Sequence, residues 1–279
     1  VILLALLLAA LGVSDLMRSR APGGLWPAAL AGAAVFVVGA MGTGLDWWWN
    51  AVGVAALVSW IVATAPFASA APDARRTRAT SYRPAYWAVR GLALAVVVVF
   101  VAGPAVAPPA GWLTRWYARL PYTALDEVSF STFALAVGGV LFLFETANVI
   151  VRAALRGTGS EAQQADSAPV PTEVEAPRSR RWSRRAAGPA VAAAAEPFAP
   201  LKGGRFIGPL ERIFLLTLAL SGEFTAIAAV VAAKGIIRFP EISKDDAAGS
   251  KAEYFLVGSF ASWGLVLVVA IVLRFTALN

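Results

Sequence analysis

Residues 203–243 read GGRFIGPLERIFLLTLALSGEFTAIAAVVAAKGIIRFPEIS, and the fold turns on this stretch. Between Arg212 and Lys234 its only charged residue is Glu223. A helix needs about 20 mostly apolar residues to cross the hydrocarbon core of a bilayer. Residues 210–233 supply them, so the stretch reads as one membrane span. Arg212, Glu223 and Lys234 lie eleven residues apart. Eleven residues make about three helical turns and roughly 16 Å of rise, so the three side chains share one face. Arg205 and Arg238 extend that stripe if the helix continues so far. Alternatively the helix begins at Gly208-Pro209, because proline suits a first turn.

This reading puts Glu223 near the bilayer centre. A carboxylate at that depth is expensive and normally faces a partner or a wet cavity. Ser221, Gly222 and Thr225 give it small, polar surroundings. Arg205, Arg212, Lys234 and Arg238 fall nearer the interfaces, where long basic side chains can simply snorkel to water. The alternatives are a polar path or anion-recognition site, and a set of interhelical ion pairs that fixes register.

Working outward, residues 130–151 form a second polar-faced span. Glu145, Asn148 and Arg152 follow i, i+3, i+7 spacing and lie on one side of a helix. Gly138 and Gly139 let another helix approach closely. Residues 253–273 add Tyr254, Gly258, Ser259, Ser262 and Gly264. These three spans are expected side by side, polar faces inward.

The whole chain agrees with a membrane setting. It is 58% hydrophobic and 15% charged, whereas a soluble domain is about a quarter charged. Further spans are expected at 1–17, 25–41, 48–65 and 87–107. The expected fold is therefore an all-α polytopic membrane bundle of seven transmembrane helices. It divides into residues 1–107 with four spans, an outer interfacial segment 108–129, a fifth span within 130–156, a disordered basic linker 157–203, and a two-span part 204–279.

Basic residues set the orientation. Arg18 and Arg20 follow the first span, Arg75, Arg76, Arg78 and Arg83 the third, and Arg156 with the Arg178–Arg185 run the fifth. The N-terminus is therefore expected outside and the C-terminus in the cytoplasm, with Arg274 at an inner end. Trp47, Trp48, Trp49, Trp87, Trp112 and Trp116 suit headgroup depth.

The net charge of +7 resembles a nucleic-acid signal, but the arginines sit in loops beside apolar blocks, so no nucleic acid is expected. The expected partners are lipids, with anionic headgroups at the basic loops, and a membrane protein or a second copy of the chain. With no cysteine and no histidine, thiol and imidazole chemistry is excluded, and neither a metal nor a cofactor is expected.

The motifs G-R-x-I-G-x-L-E-R at 204–212, G-E-x-x-A-I at 222–227, A-A-K at 232–234, R-F-x-E at 238–241 and A-E-Y-F-L-x-G-S at 252–259 resemble the C-terminal half of a bacterial family of multi-pass membrane proteins of unknown function. The resemblance covers about 75 residues. It implies Arg205, Glu211, Arg212, Glu223, Lys234, Arg238, Glu241, Glu253 and Tyr254 as a signature, and a bacterial cytoplasmic membrane as the location. It supplies no reaction. Histidines that suggest a metal site in that family have no counterpart here.

The leading expectation is a transporter, channel or lipid-headgroup translocator. Glu223 would be its proton or cation site, with Arg212, Lys234 and Arg238 meeting an anionic group. The alternative is an accessory or assembly subunit of a membrane complex. An enzyme acting on a lipid phosphate ranks behind both, for want of a visible nucleophile.

Overall fold

An apolar segment can leave water only if its backbone amides and carbonyls bond one another, and a helix achieves this within itself. The computed structural model describes residues 1–20, 24–65, 89–92, 108–157, 204–242 and 250–278, and all their regular structure is helical. The helices are α1 (Ile2–Arg20), α2 (Leu25–Thr43), α3 (Trp48–Thr64), the short α4 (Trp112–Tyr117), α5 (Phe130–Leu141), α6 (Ala147–Gly157), α7 (Gly204–Ser221), α8 (Phe224–Ile242) and α9 (Ser250–Ala277). A π-helical turn, Phe142–Thr146, joins α5 to α6.

Among the described residues, four helical stretches are long and apolar enough to cross a membrane: Ile2–Arg20, Leu25–Thr43, Phe130–Leu155 and Ala252–Ala277. That is the architecture of a membrane protein. The helix α3 is apolar but shorter. The helices α7 and α8 have the length but carry three charged residues each.

The most buried of the four stretches is α1. Glycines let its neighbours close on it. A Cβ at Gly138 of α5 would strike the Ala5 backbone, and one at Gly12 would strike Leu141. On another side, a Cβ at Gly39 of α2 would strike the Leu6 side chain. Here small residues act by letting backbones meet.

Contacts orient the helices. Ser14 donates to the Ala28 carbonyl at 3.0 Å, so α2 runs back along α1. Trp60 donates to Asp15 at 3.1 Å, so α3 runs with α1. Phe144 and Glu145 share a cleft with Leu16 and Arg20, so α5 and α6 also run with α1. Thr132 donates to the Thr276 carbonyl at 3.5 Å, while Gly258 sits beside Val151 and Leu155, so α9 runs against α5 and α6. The bundle thus has an Ile2 end and an Arg20 end. The segment expected at the outer interface crosses the Ile2 end: Ala110 donates to Thr43 at 3.1 Å, and Tyr117 donates to Val128 at 2.9 Å.

The structure corrects the single span at 210–233. Gly222 has φ +79°, in the left-handed region that glycine adopts without steric cost. The Gly222 amide donates to Ala219 and the Glu223 amide to Leu218. These two bonds form a Schellman motif, which ends a helix by satisfying its last carbonyls. The chain then turns, and α8 runs back along α7. Lys234 consequently meets Glu211 at 2.8 Å; in one straight helix they would stand about 35 Å apart.

The turn also corrects the expected placement of the chain ends. Because α8 runs back along α7, α9 starts from the end of the bundle opposite to the one expected. Arg274 lies at the Ile2 end, where it donates to the Leu220 carbonyl at 3.3 Å. The start of α1 and the finish of α9 therefore share that end, and the expectation of termini on opposite sides fails. The expected linker (apart from residue 157), most of the fourth span and the arginine run after α3 lie outside the described residues.

The chain has no cysteine, so single replacements report topology directly. Glu223→Cys, Asp126→Cys and Leu278→Cys are expected to react with an impermeant maleimide from the same side of sealed vesicles. A Glu223→Cys chain that stays unlabelled from both sides would restore the single-span reading.

Candidate functional site

The π-helical turn is where the site begins. Its wider winding disturbs the regular i to i−4 ladder, a feature frequent at functional sites. The Leu143 carbonyl accepts from an Arg212 guanidinium nitrogen at 3.0 Å. The same guanidinium donates to Asn148 Oδ1 at 2.7 Å and, through Nε, to Ser262 Oγ at 2.8 Å. Arg212 is only 3% exposed and lies near the middle of α7. A buried cation is tolerable only when paired and hydrogen-bonded; here the acceptors come from the π turn, α6 and α9. Gly208, one turn before Arg212, lies beside the Arg212 and Asn148 side chains.

Glu145, 4% exposed, lies in the same layer. Its carboxylate accepts from Asn148 Nδ2 at 3.4 Å and faces Arg152 at 3.8 Å. Asn148 thus bridges Arg212 and Glu145. The structure brings together Glu145, Asn148 and Arg152, as their spacing predicts, and adds Arg212.

A second cluster joins the α7–α8 hairpin to α9. Both Glu211 oxygens accept from Lys234 at 2.8 Å, and Trp263 Nε1 donates to Glu211 at 3.1 Å. The Lys234 ammonium lies 5.4 Å from the Trp263 ring centre and 6.0 Å from that of Phe255, within cation–π range. Arg212 and Lys234, expected at opposite interfaces, are both mid-helix groups.

Glu223 is not part of either cluster. It is exposed in the hairpin turn at the Ile2 end, so its expected position at the bilayer centre among cations is corrected. Arg238 is exposed on the later part of α8. Tyr254 is half-buried, about two turns before Ser262 on α9. Arg205 and Glu241 lie in helical backbone, and their side chains fall outside the described residues.

A further buried pair lies in α1. Asp15 and Arg18 form an ion pair inside α1, 1% and 5% exposed. Trp60 Nε1 donates to Asp15, while Arg18 donates to Thr64 at 3.0 Å and to the Ile61 carbonyl at 3.1 Å. The available signal was an acid three residues before a base at the end of an apolar run. As a topology charge, Arg18 gives no hint of that acid.

Between the π turn and the Arg20 end lies a cleft of about 140 Å³, lined by Leu16, Arg20, Phe144, Glu145, Phe206 and Pro209.

No known family, curated protein or solved structure matches the chain.

Arg212→Leu removes the donor from three acceptors and leaves Glu145 with less compensation. The expected cost is about 3 kcal/mol, read as reversible unfolding in detergent. Glu223→Gln is expected to change stability by less than about 0.5 kcal/mol, as exposed substitutions do. A double-mutant cycle of Glu211→Gln with Lys234→Met should give a coupling of about 1 kcal/mol; zero coupling would contradict the hairpin ion pair.

Proposed function

We propose that this chain is an accessory or assembly subunit of a complex in a bacterial cytoplasmic membrane. The observation that carries the reading is the outer face of α8. Thr225, Ala229 and Ala233, with Ala228 and Ala232 beside them, are exposed at helical spacing on a helix of 19 residues. Small residues spaced in this way let a second helix approach backbone to backbone, the usual basis of association in lipid. Three sets of interior charges, in contrast, are closely engaged within the chain: Asp15 with Arg18, Glu211 with Lys234, and Arg212 with Asn148, Ser262 and Leu143.

The transport reading loses its central element, because Glu223 lies at an exposed turn. The orientation we favour keeps the Arg20 end in the cytoplasm, where Arg18, Arg20 and Arg152 gather, in keeping with the positive-inside rule. The Ile2 end, with the Glu223 turn and α4, would then face outward. The likeness to a bacterial multi-pass family belongs to this proposal, as do its signature residues Glu211, Arg212 and Lys234. The partner would be another membrane protein or a second copy of the chain.

Ala229→Phe alters the exposed seam without entering the bundle. In mild-detergent extracts of native membranes, the variant is expected to move from a larger species to the size of the single chain. Its unfolding midpoint should remain that of the unaltered chain. An unchanged complex size in both Ala229→Phe and Ala233→Phe would remove the basis of the assembly reading.

A further inference from the structure

Glu145 is more deeply buried than its bonds explain. Its partners stand at 3.4 Å and 3.8 Å, whereas a close charge-assisted hydrogen bond to a carboxylate runs about 2.7–2.9 Å. A carboxylate has about four lone-pair sites, and water has been largely removed from this one. The cleft passes beside it.

On the same cleft lies Arg20, the last residue of α1 and an exposed one. Among the described residues no acid forms an ion pair with it. The remaining walls are apolar: Leu16, Phe144, Phe206 and Pro209. Phe206 is half exposed, and Ile207 and Leu210 continue an exposed apolar surface along α7.

We infer that this cleft holds the headgroup of a phospholipid with a primary ammonium, the chemistry of phosphoethanolamine. The ammonium meets Glu145, the phosphate meets Arg20, and the first methylenes of the acyl chains lie along Phe206 and Leu210. Charge selects this class. Arg152 offsets the Glu145 charge only from 3.8 Å and leaves carboxylate lone pairs open to N–H donors, which a purely anionic headgroup lacks, and a purely cationic solute would bring its charge to Arg20. A zwitterion answers both. A primary ammonium has three N–H donors, whereas a trimethylammonium has none, so Glu145 distinguishes ethanolamine from choline. The apolar surface beside the cleft favours a lipid over a soluble zwitterion. The site stands on different residues from the α8 seam and does not depend on the assembly reading.

The test uses the full chain equilibrated in mixed micelles of phosphatidylethanolamine, phosphatidylcholine and phosphatidylglycerol of equal amount and identical acyl chains. Lipid retained by the purified protein is then measured by mass spectrometry. Phosphatidylethanolamine should be enriched about tenfold over phosphatidylcholine, the effect of one charged hydrogen bond. Glu145→Gln should bring that ratio close to one. Arg20→Gln, at an exposed position compatible with folding, should lower phosphatidylethanolamine retention about fivefold, the loss of one partly solvated ionic contact. It carries the test if the Glu145 variant does not fold. Equal retention of the three lipids, a preference for phosphatidylglycerol, or an enrichment unchanged in the folded variants would overturn the inference. Displacement of the bound lipid by millimolar free phosphoethanolamine would overturn the lipid assignment in favour of a soluble zwitterion.

Discussion

A guanidinium shut away from water must find acceptors or it will not stay, and Arg212 finds its own on three different elements. The π turn, α6 and α9 are each fixed to α7 through one side chain. Removing a donor of this kind leaves several buried acceptors stranded, which costs more than the bonds themselves are worth. The geometry of the neighbouring groups follows from it. Asn148 must present its oxygen to Arg212, so its amide nitrogen turns toward Glu145. Glu145 in turn draws Arg152. The cleft at the Arg20 end is what remains open once those side chains have been placed.

Much of this layer was legible in the sequence. Glu145, Asn148 and Arg152 share a face at helical spacing, and the structure brings them together. The glycines of α5 read as points of close approach, and Gly138 is one. The segment with the expected tryptophans does carry a short helix, α4, and lies across the Ile2 end. What escaped was the turn at Gly222. A glycine after Leu218-Ala219-Leu220-Ser221 is a recognised stop signal for a helix. It was overridden by hydropathy, which measures transfer from water and is blind to a change of direction. The eleven-residue spacing of Arg212, Glu223 and Lys234 fits one straight face, and it fits equally well two antiparallel helices hinged at its midpoint. Only a contact across the hinge, Glu211 with Lys234, separates the two.

That hinge inverted the ranking of the charged residues. Depth counted along one straight helix makes the residue at the midpoint the deepest. Folding back at the midpoint sends it to the surface and carries the flanking cations to mid-helix. Partners distant in sequence, such as buried Ser262 and half-buried Trp263, could not be inferred from spacing at all, because they depend on how α9 lies against the hairpin. Asp15 was hidden for a different reason: its partner is on its own helix, and a self-neutralised pair leaves little trace in the charge pattern of the loops.

The self-contained pair in α1 bears on the order in which the bundle assembles. The helix that ends up most enclosed precedes all its packing partners along the chain, and it must meet lipid before they arrive. An acid and a base one turn apart present a nearly neutral dipole to that lipid, so α1 can wait there without its later ligands Trp60 and Thr64. Arg212 depends on oxygens from two elements that precede it and one that follows. The bonding of Arg212 is therefore complete only once α9 has packed against the hairpin.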